Sequence, residues 1–386
     1  MDKSFPNLIG DYGPWARSLS KGIPALSFRN ERFTDVGAWR KEALGKLNEL
    51  LYMPNLGPLP KVTVHERYTY DGLDIEEISW QLTHGRPTEA IVLKPMGTHE
   101  KLPGLLALHD HAAIKYFGKE KITKTSDSQH PVVEAHQQSD YGGLAWANEV
   151  AKRGYVVLVH DAFAFGSRRV QYEDILPVED PFLETTDKQE VPPTIKNIQA
   201  YNDWAGHHEH VMAKSLFCAG TTWPGVFLAE DRMALEILAT RKDVDADRLG
   251  CGGLSGGGLR TVMLGGTDER IKCAVSAGFM STWNDFLLYK SITHTWMLYI
   301  PGLPNFLDFP EIFGLRVPLP SMVLNNNEDP LYTLPEMKKA DGILQDIYDK
   351  AGARDKYNCR YYPGLHKMDG EMQQDAFDWF DQWLKI

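Results

Sequence analysis

A chain of 386 residues, 43% hydrophobic and 24% charged, carries enough apolar side chain to bury a large core and too much to stay disordered. Its formal net charge of -11 repels phosphate backbones and anionic bilayers, no Lys/Arg run offers a nucleic-acid footprint, and no apolar stretch reaches membrane-spanning length. Neither nucleic acid nor a membrane is an expected partner.

The opening MDKSFPNLIGDYGPWARSL is broken by Pro6, Gly10 and Pro14 and has no apolar leader core, so the chain reads as cytoplasmic; a secretory leader removed beforehand would leave the same sequence. Residues 1–60 read as an N-terminal helical extension packing on the main domain. After Thr34 and Asp35, suited to capping, Ala43, Leu44, Leu47, Leu50 and Leu51 recur at helical spacing. From residue 61 the main domain is expected to run to 386. It starts with period two, at Val62, Val64, Tyr68 and Tyr70, then Ile78, Trp80 and Leu82, then the run AIVLKP from Ala90, which read as neighbouring strands, partly antiparallel.

From Leu105 short continuous apolar runs (LLALH, YVVLVHD, RLGCGG, IKCAVSAG, PSMVLNNN) alternate with helix-compatible stretches such as AEDRMALEILATR. Buried parallel strands crossed by helices read this way. The final helix, EMQQDAFDWFDQWL, sets Met372, Ala376, Trp379 and Trp383 on one stripe that closes against the sheet. The expected architecture is α/β, with a mostly parallel eight-stranded sheet flanked by helices. Insertions at about 163–226 and 283–313 interrupt the rhythm and read as lids or pocket walls; contacts in a homo-oligomer are their alternative use. The four cysteines, Cys218, Cys251, Cys273 and Cys359, lack a C-x-x-C pair and fit reduced thiols.

Gly253-Leu254-Ser255-Gly256-Gly257 fits G-x-S-x-G between strand-like RLGCGG and helix-compatible LRTVMLGG, the strand–turn–helix setting that makes a serine a nucleophile. A flexible glycine turn is the bland alternative. A serine hydroxyl needs a base, normally a histidine held by a carboxylate. Of thirteen histidines only His366 lies beyond residue 300, between the last strand-like run and the last helix. It is the base if the triad runs serine, acid, histidine along the chain; otherwise it is a surface-loop histidine. The acid comes from the polar turn after PSMVLNNN: Asp329, followed by the rigid Pro330, or alternatively Glu328. An oxyanion needs two donors, expected from the backbone N–H of Gly256 and of His111 in the loop after LLALH.

These residues, together with DAFAFGSRR at 161–169 and the stretch from Gly220 through EDRMALEILATRKDVDADRLGCGGLSGGG, resemble the α/β-hydrolases, in particular the dienelactone-hydrolase and acetyl-xylan-esterase-like branch, from about residue 88 to the C-terminus. The resemblance implies an α/β-hydrolase fold and a serine-dependent carboxylic ester hydrolase. Such an enzyme works through an acyl-enzyme without a cofactor, on a small or medium ester such as an acylated carbohydrate, an aromatic ester or a lactone. Members of the branch carry glycine after the first histidine of the oxyanion loop, where this chain reads His109-Asp110-His111-Ala112-Ala113. Some members use a cysteine nucleophile; here the elbow carries serine.

His109, Asp110, Trp223, His294 and Trp296 are candidate substrate contacts in an apolar pocket. His109 and His111, with His207, His208 and His210, invite a metal reading, but H-E-x-x-H is missing and adjacent helical histidines point apart, so no metal is expected. The alternative functions are a serine peptidase of the oligopeptidase-like type and a catalytically inactive hydrolase-fold binding protein.

Overall fold

Alternation at the start and continuous apolar runs later become one mixed sheet in the computed structural model, which describes residues 6–20, 22–175 and 193–385. Part of the first expected insertion, 176–192, lies outside the described residues. After a short helix α1 (Gly13–Ser18), helix α2 (Val36–Leu51) begins where the Asp35 carboxylate accepts the Ala38 N–H at 2.6 Å, and it buries Trp39, Ala43, Leu47 and Leu51 at four-residue spacing. The Trp39 indole donates to Leu26 O within the N-terminal segment, and the Arg40 guanidinium donates to Leu315 O, so a polar contact joins that segment to the body beside the apolar ones.

Strands β1 (Thr63–Tyr70), β2 (Leu73–Trp80) and β3 (Thr88–Pro95) form an antiparallel meander. Then follow β4 (Leu102–Ala107), α3 (Pro131–Asp140), α4 (Trp146–Lys152), β5 (Val156–His160), α5 (Ile195–Ala219), α6 (Trp223–Ala239), β6 (Val244–Leu254), α7 (Gly256–Thr267), β7 (Ile271–Ala277), α8 (Phe309–Gly314), β8 (Ser321–Asn326), α9 (Leu334–Lys350), β9 (Tyr357–Tyr362) and α10 (Gly370–Leu384). Among the described residues the sheet has nine strands, not eight, in the order β1-β2-β3-β5-β4-β6-β7-β8-β9, and every pairing from β5 to β9 is parallel. Strand β1, where the period-two pattern begins, is a largely exposed edge paired along β2. Its polar and charged residues His65, Glu66 and Arg67 guard that edge against further pairing.

Alternate side chains of the central strands feed two cores. Leu106, Leu108, Leu249 and Val323 join a cluster with α2, α6, α7, α8 and α9, while Leu105, Ala107, Val275 and Leu324 join α4 and α10 on the other face. Parallel strands buried on both faces deliver their C-terminal ends to one edge, so the residues just after β4, β6, β7, β8 and β9 collect there.

Candidate active site

Ser255 leaves β6 with φ 56° and ψ -119°, a left-handed conformation costly for any residue with a Cβ. Packing holds it: its N–H donates to Ala277 O at 2.9 Å, and its carbonyl accepts the Leu259 N–H at 2.9 Å. The end of β4 presses on the same turn, because a Cβ at Gly253 or Gly257 would lie 2.2 or 2.0 Å from Leu108 O. Glycine is therefore required at both positions by close backbone approach.

Gly256 opens α7, so its N–H has no partner within the helix. A Cβ there would stand 2.9 Å from His111 N, so the His111 backbone packs closely against the start of α7. The His111 N–H has no acceptor among the described residues. The loop carrying it has Ala112 at φ 46° and Ala113 at φ 55° where glycines would be easy. The His111 ring stabilises this turn, with Nδ1 accepting the Ala113 N–H at 2.9 Å and Nε2 donating to Glu209 Oε1 at 2.9 Å. Glu209 sits on α5, in the first insertion, and also pairs with buried Lys115 at 2.7 Å. Burial alone would raise the Glu209 carboxyl, but Lys115 and His111 hold it down at about 2.

His366 donates from Nδ1 to Asp329 Oδ2 at 2.6 Å. Asp329 is buried and its Oδ1 accepts the Leu331 N–H at 2.9 Å, whereas Glu328 is exposed and makes no bond to the ring. The two candidate acids are thus separated by geometry, with Asp329 on the histidine. Among the described residues His366 Nε2 has no hydrogen-bond partner, and a Ser255–His366 bond is not formed; such bonds commonly tighten only with substrate bound. The ring lies against Gly278, where a Cβ would stand 2.8 Å from Cε1.

Ser255, Gly256, His111 and His366 line one cavity of about 290 Å³ whose other walls include Leu259, Phe279, His294, Met297, Leu298 and Leu331. A larger cavity of about 370 Å³ lies beside Arg17, Trp283 and Glu336 and contains none of the candidate residues; its walls offer no nucleophile–base pair.

Of the five expected substrate contacts, His294 alone lines the Ser255 cavity. His109 is turned inward: its Nδ1 donates to Asp110 O at 2.9 Å, its Nε2 accepts the Ala162 N–H at 3.1 Å, and burial drives its pKa well below the usual histidine value. Asp110 is also buried, accepting from Tyr141 Oη at 2.6 Å and His136 Nε2 at 3.1 Å. Burial would raise this carboxyl, but His136 and Lys121 hold it well below the carboxylate range; Asp110 in turn lifts His136 to about 9. Trp223 is fully buried against Phe163 and Phe227. Trp296 packs on Phe217 outside the cavity lining.

Among the described residues no group of three or more His, Cys, Asp or Glu side chains could hold a metal ion. His207 and His210 bond helix carbonyls through Nδ1, and His208 stacks on Trp204. No helix among the described residues is long and apolar enough to cross a membrane. Sequence reasoning missed Glu209, Lys115 and Gly278. Only Glu209 left a signal, within the H-H-E-H run that had suggested a metal.

Residues 224–314 match the model of the prolyl oligopeptidase family. Over 348 residues the chain is 23% identical to YtaP of Bacillus subtilis (strain 168), a protein designated a hydrolase, covering 89% of this chain and 98% of YtaP. Among solved structures, a Bacteroides fragilis protein assigned as an acetyl xylan esterase superposes with a TM-score of 0.66 at 15% identity, covering 92% of this chain and 83% of its own. A glucuronoyl esterase from Solibacter usitatus gives 0.61 at 13% identity, covering 94% and 97%.

Proposed function

The chain is an α/β-hydrolase by fold, and from that premise we propose that it is a serine-dependent carboxylic ester hydrolase of small or medium esters, working through an acyl-enzyme. The observation that carries the reading is the Asp329–His366 hydrogen bond opening on the same cavity as the strained Ser255. In this mechanism Ser255 Oγ attacks the ester carbonyl as His366 Nε2 takes its proton, and Asp329 stabilises the imidazolium. The oxyanion is met by the N–H groups of Gly256 and His111, each of the kind worth about 10²–10³ in rate. Collapse expels the alcohol with the proton from His366; water, activated by the same ring, then releases the carboxylic acid and restores Ser255.

The mostly apolar 290 Å³ cavity suits a short acyl group or compact alcohol, and the acetyl xylan and glucuronoyl esterases of the same fold favour an acylated carbohydrate here. The prolyl oligopeptidase match favours a second reading, peptide hydrolysis by the same residues. Both are tested together. Wild type should be labelled by a serine-directed fluorophosphonate, Ser255→Ala should not, and acetylated xylosides and short p-nitrophenyl esters should outpace a prolyl p-nitroanilide peptide. Failure of wild type to label, or labelling that survives in Ser255→Ala, sinks the serine mechanism; preference for the peptide selects the second reading.

A further inference from the structure

We infer that His294 is a specificity residue that recognises a neutral hydroxyl group on the substrate, beside the ester bond that Ser255 attacks. The inference rests on the serine-esterase reading and adds a substrate class to it: esters of polyols or sugars, or esters of hydroxy acids.

His294 Nε2 lies 3.0 Å from Leu331 O, and a carbonyl only accepts, so Nε2 carries the hydrogen and a neutral ring leaves Nδ1 as a bare acceptor. Phe279, Phe286 and Tyr332 surround the ring at centroid distances of 5.6, 4.9 and 5.1 Å, which fixes its plane. No protein donor reaches Nδ1 among the described residues, and the atom is not sealed in the interior, so it opens on the cavity that the ring lines. Burial holds the imidazole at a pKa of about 4, so it stays neutral through the physiological range.

The next residue complements it. The Thr295 hydroxyl accepts the Met297 N–H at 3.3 Å and keeps its own hydrogen to give, while the Thr293 hydroxyl is spent on the carbonyls of Lys290 and Leu331. An acceptor and a donor on neighbouring residues, in a wall otherwise built from Leu259, Phe279 and Met297, match a hydroxyl, which is both donor and acceptor. Among the described residues no Lys or Arg lines the cavity, so none of them compensates the burial of a substrate carboxylate. A substrate with a methyl group in place of the hydroxyl would desolvate Nδ1 and leave it unpaired, which lowers kcat/KM for the analogue.

The test uses two isosteric pairs: ethylene glycol monoacetate against propyl acetate for a hydroxyl on the alcohol side, and ethyl 3-hydroxypropanoate against ethyl butanoate for one on the acyl side. Active enzyme is counted by fluorophosphonate titration, and the readout is the kcat/KM ratio within each pair, which cancels general damage from a substitution. Wild type should prefer the hydroxylated member of one pair by about tenfold or more. His294→Phe should bring that ratio close to one, and His294→Asn, whose amide oxygen can stand near the place of Nδ1, should retain part of it. A wild-type ratio near one in both pairs, or a ratio unchanged in His294→Phe, overturns the inference while leaving the esterase reading intact. Failure of wild type both to label and to turn over all four esters removes the Ser255 reading, and the inference with it.

Discussion

Asp329→Asn isolates the role of one carboxylate oxygen. In the native site Oδ1 accepts the Leu331 N–H at 2.9 Å and Oδ2 accepts His366 Nδ1–H at 2.6 Å. Asparagine has one acceptor, and keeping it on Leu331 turns the amide NH₂ toward His366. The ring must then accept at Nδ1, so its proton moves to Nε2, the atom that has to receive the Ser255 proton. Holding the wrong tautomer costs a triad about 10⁴ in kcat, about 5.4 kcal/mol of transition-state stabilisation. The Leu331 bond survives, so the fold should lose little; the thermal midpoint by circular dichroism should move by no more than a few degrees. The assay is kcat and KM on p-nitrophenyl acetate near neutral pH, with Glu328→Gln as the control. Glu328 is exposed and free of the ring, so that variant should stay within about twofold of wild type. A loss below tenfold in Asp329→Asn with the fold intact, or a larger loss in Glu328→Gln, refutes the assignment of Asp329 as the acid.

Gly257→Ala should destabilise the protein by about 3 kcal/mol or more, read as a lowered urea midpoint, because the new Cβ meets a backbone oxygen at 2.0 Å that cannot rotate away; native-like stability would contradict the packing described for the elbow. Glu209→Ala leaves buried Lys115 without its counter-charge and should cost about 3–5 kcal/mol in chemical denaturation, with Lys115→Met in the same background recovering part of it. His136 has its pKa raised from 6.5 to about 9 by Asp110. Its stabilising contribution, about 3 kcal/mol, is therefore complete below pH 6.5 and fades as pH rises through 9. Unfolding free energies measured across that window should fall in wild type more steeply than in His136→Gln, and parallel slopes would show that the pair contributes no such stability.

Much of this architecture was legible because parallel strands buried on both faces must read as apolar runs, and RLGCGG, IKCAVSAG and PSMVLNNN do. The ends of those strands meet at one sheet edge, which is why a serine at 255 and a histidine at 366 can share a cavity, with the acid at 329 held behind the histidine, despite their separation in sequence. Local pattern fails where the partner is distant or the direction of a side chain decides. His109 and Asp110 sit in the right loop yet turn into the interior, where His136, Tyr141 and Ala162 use their polar atoms; nothing in H-D-H-A-A specifies that. Glu209 lies 98 residues from the histidine it holds, and no local periodicity can propose such a pair.

The loop at 109–113 connects these failures. A glycine in a left-handed turn needs no support, but Ala112 and Ala113 each incur backbone strain of order 1–3 kcal/mol. The neutral His111 ring offsets part of it by accepting the Ala113 N–H, and it can do so only with its hydrogen on Nε2, the tautomer that donation to Glu209 selects. Glu209 thereby makes α5 a structural support for the loop that presents the His111 N–H. A segment that in sequence resembles a lid carries, through one buried carboxylate, the conformation of a backbone donor beside Ser255. Substitutions on this face of α5 should consequently disturb the chemistry as well as the walls of the cavity.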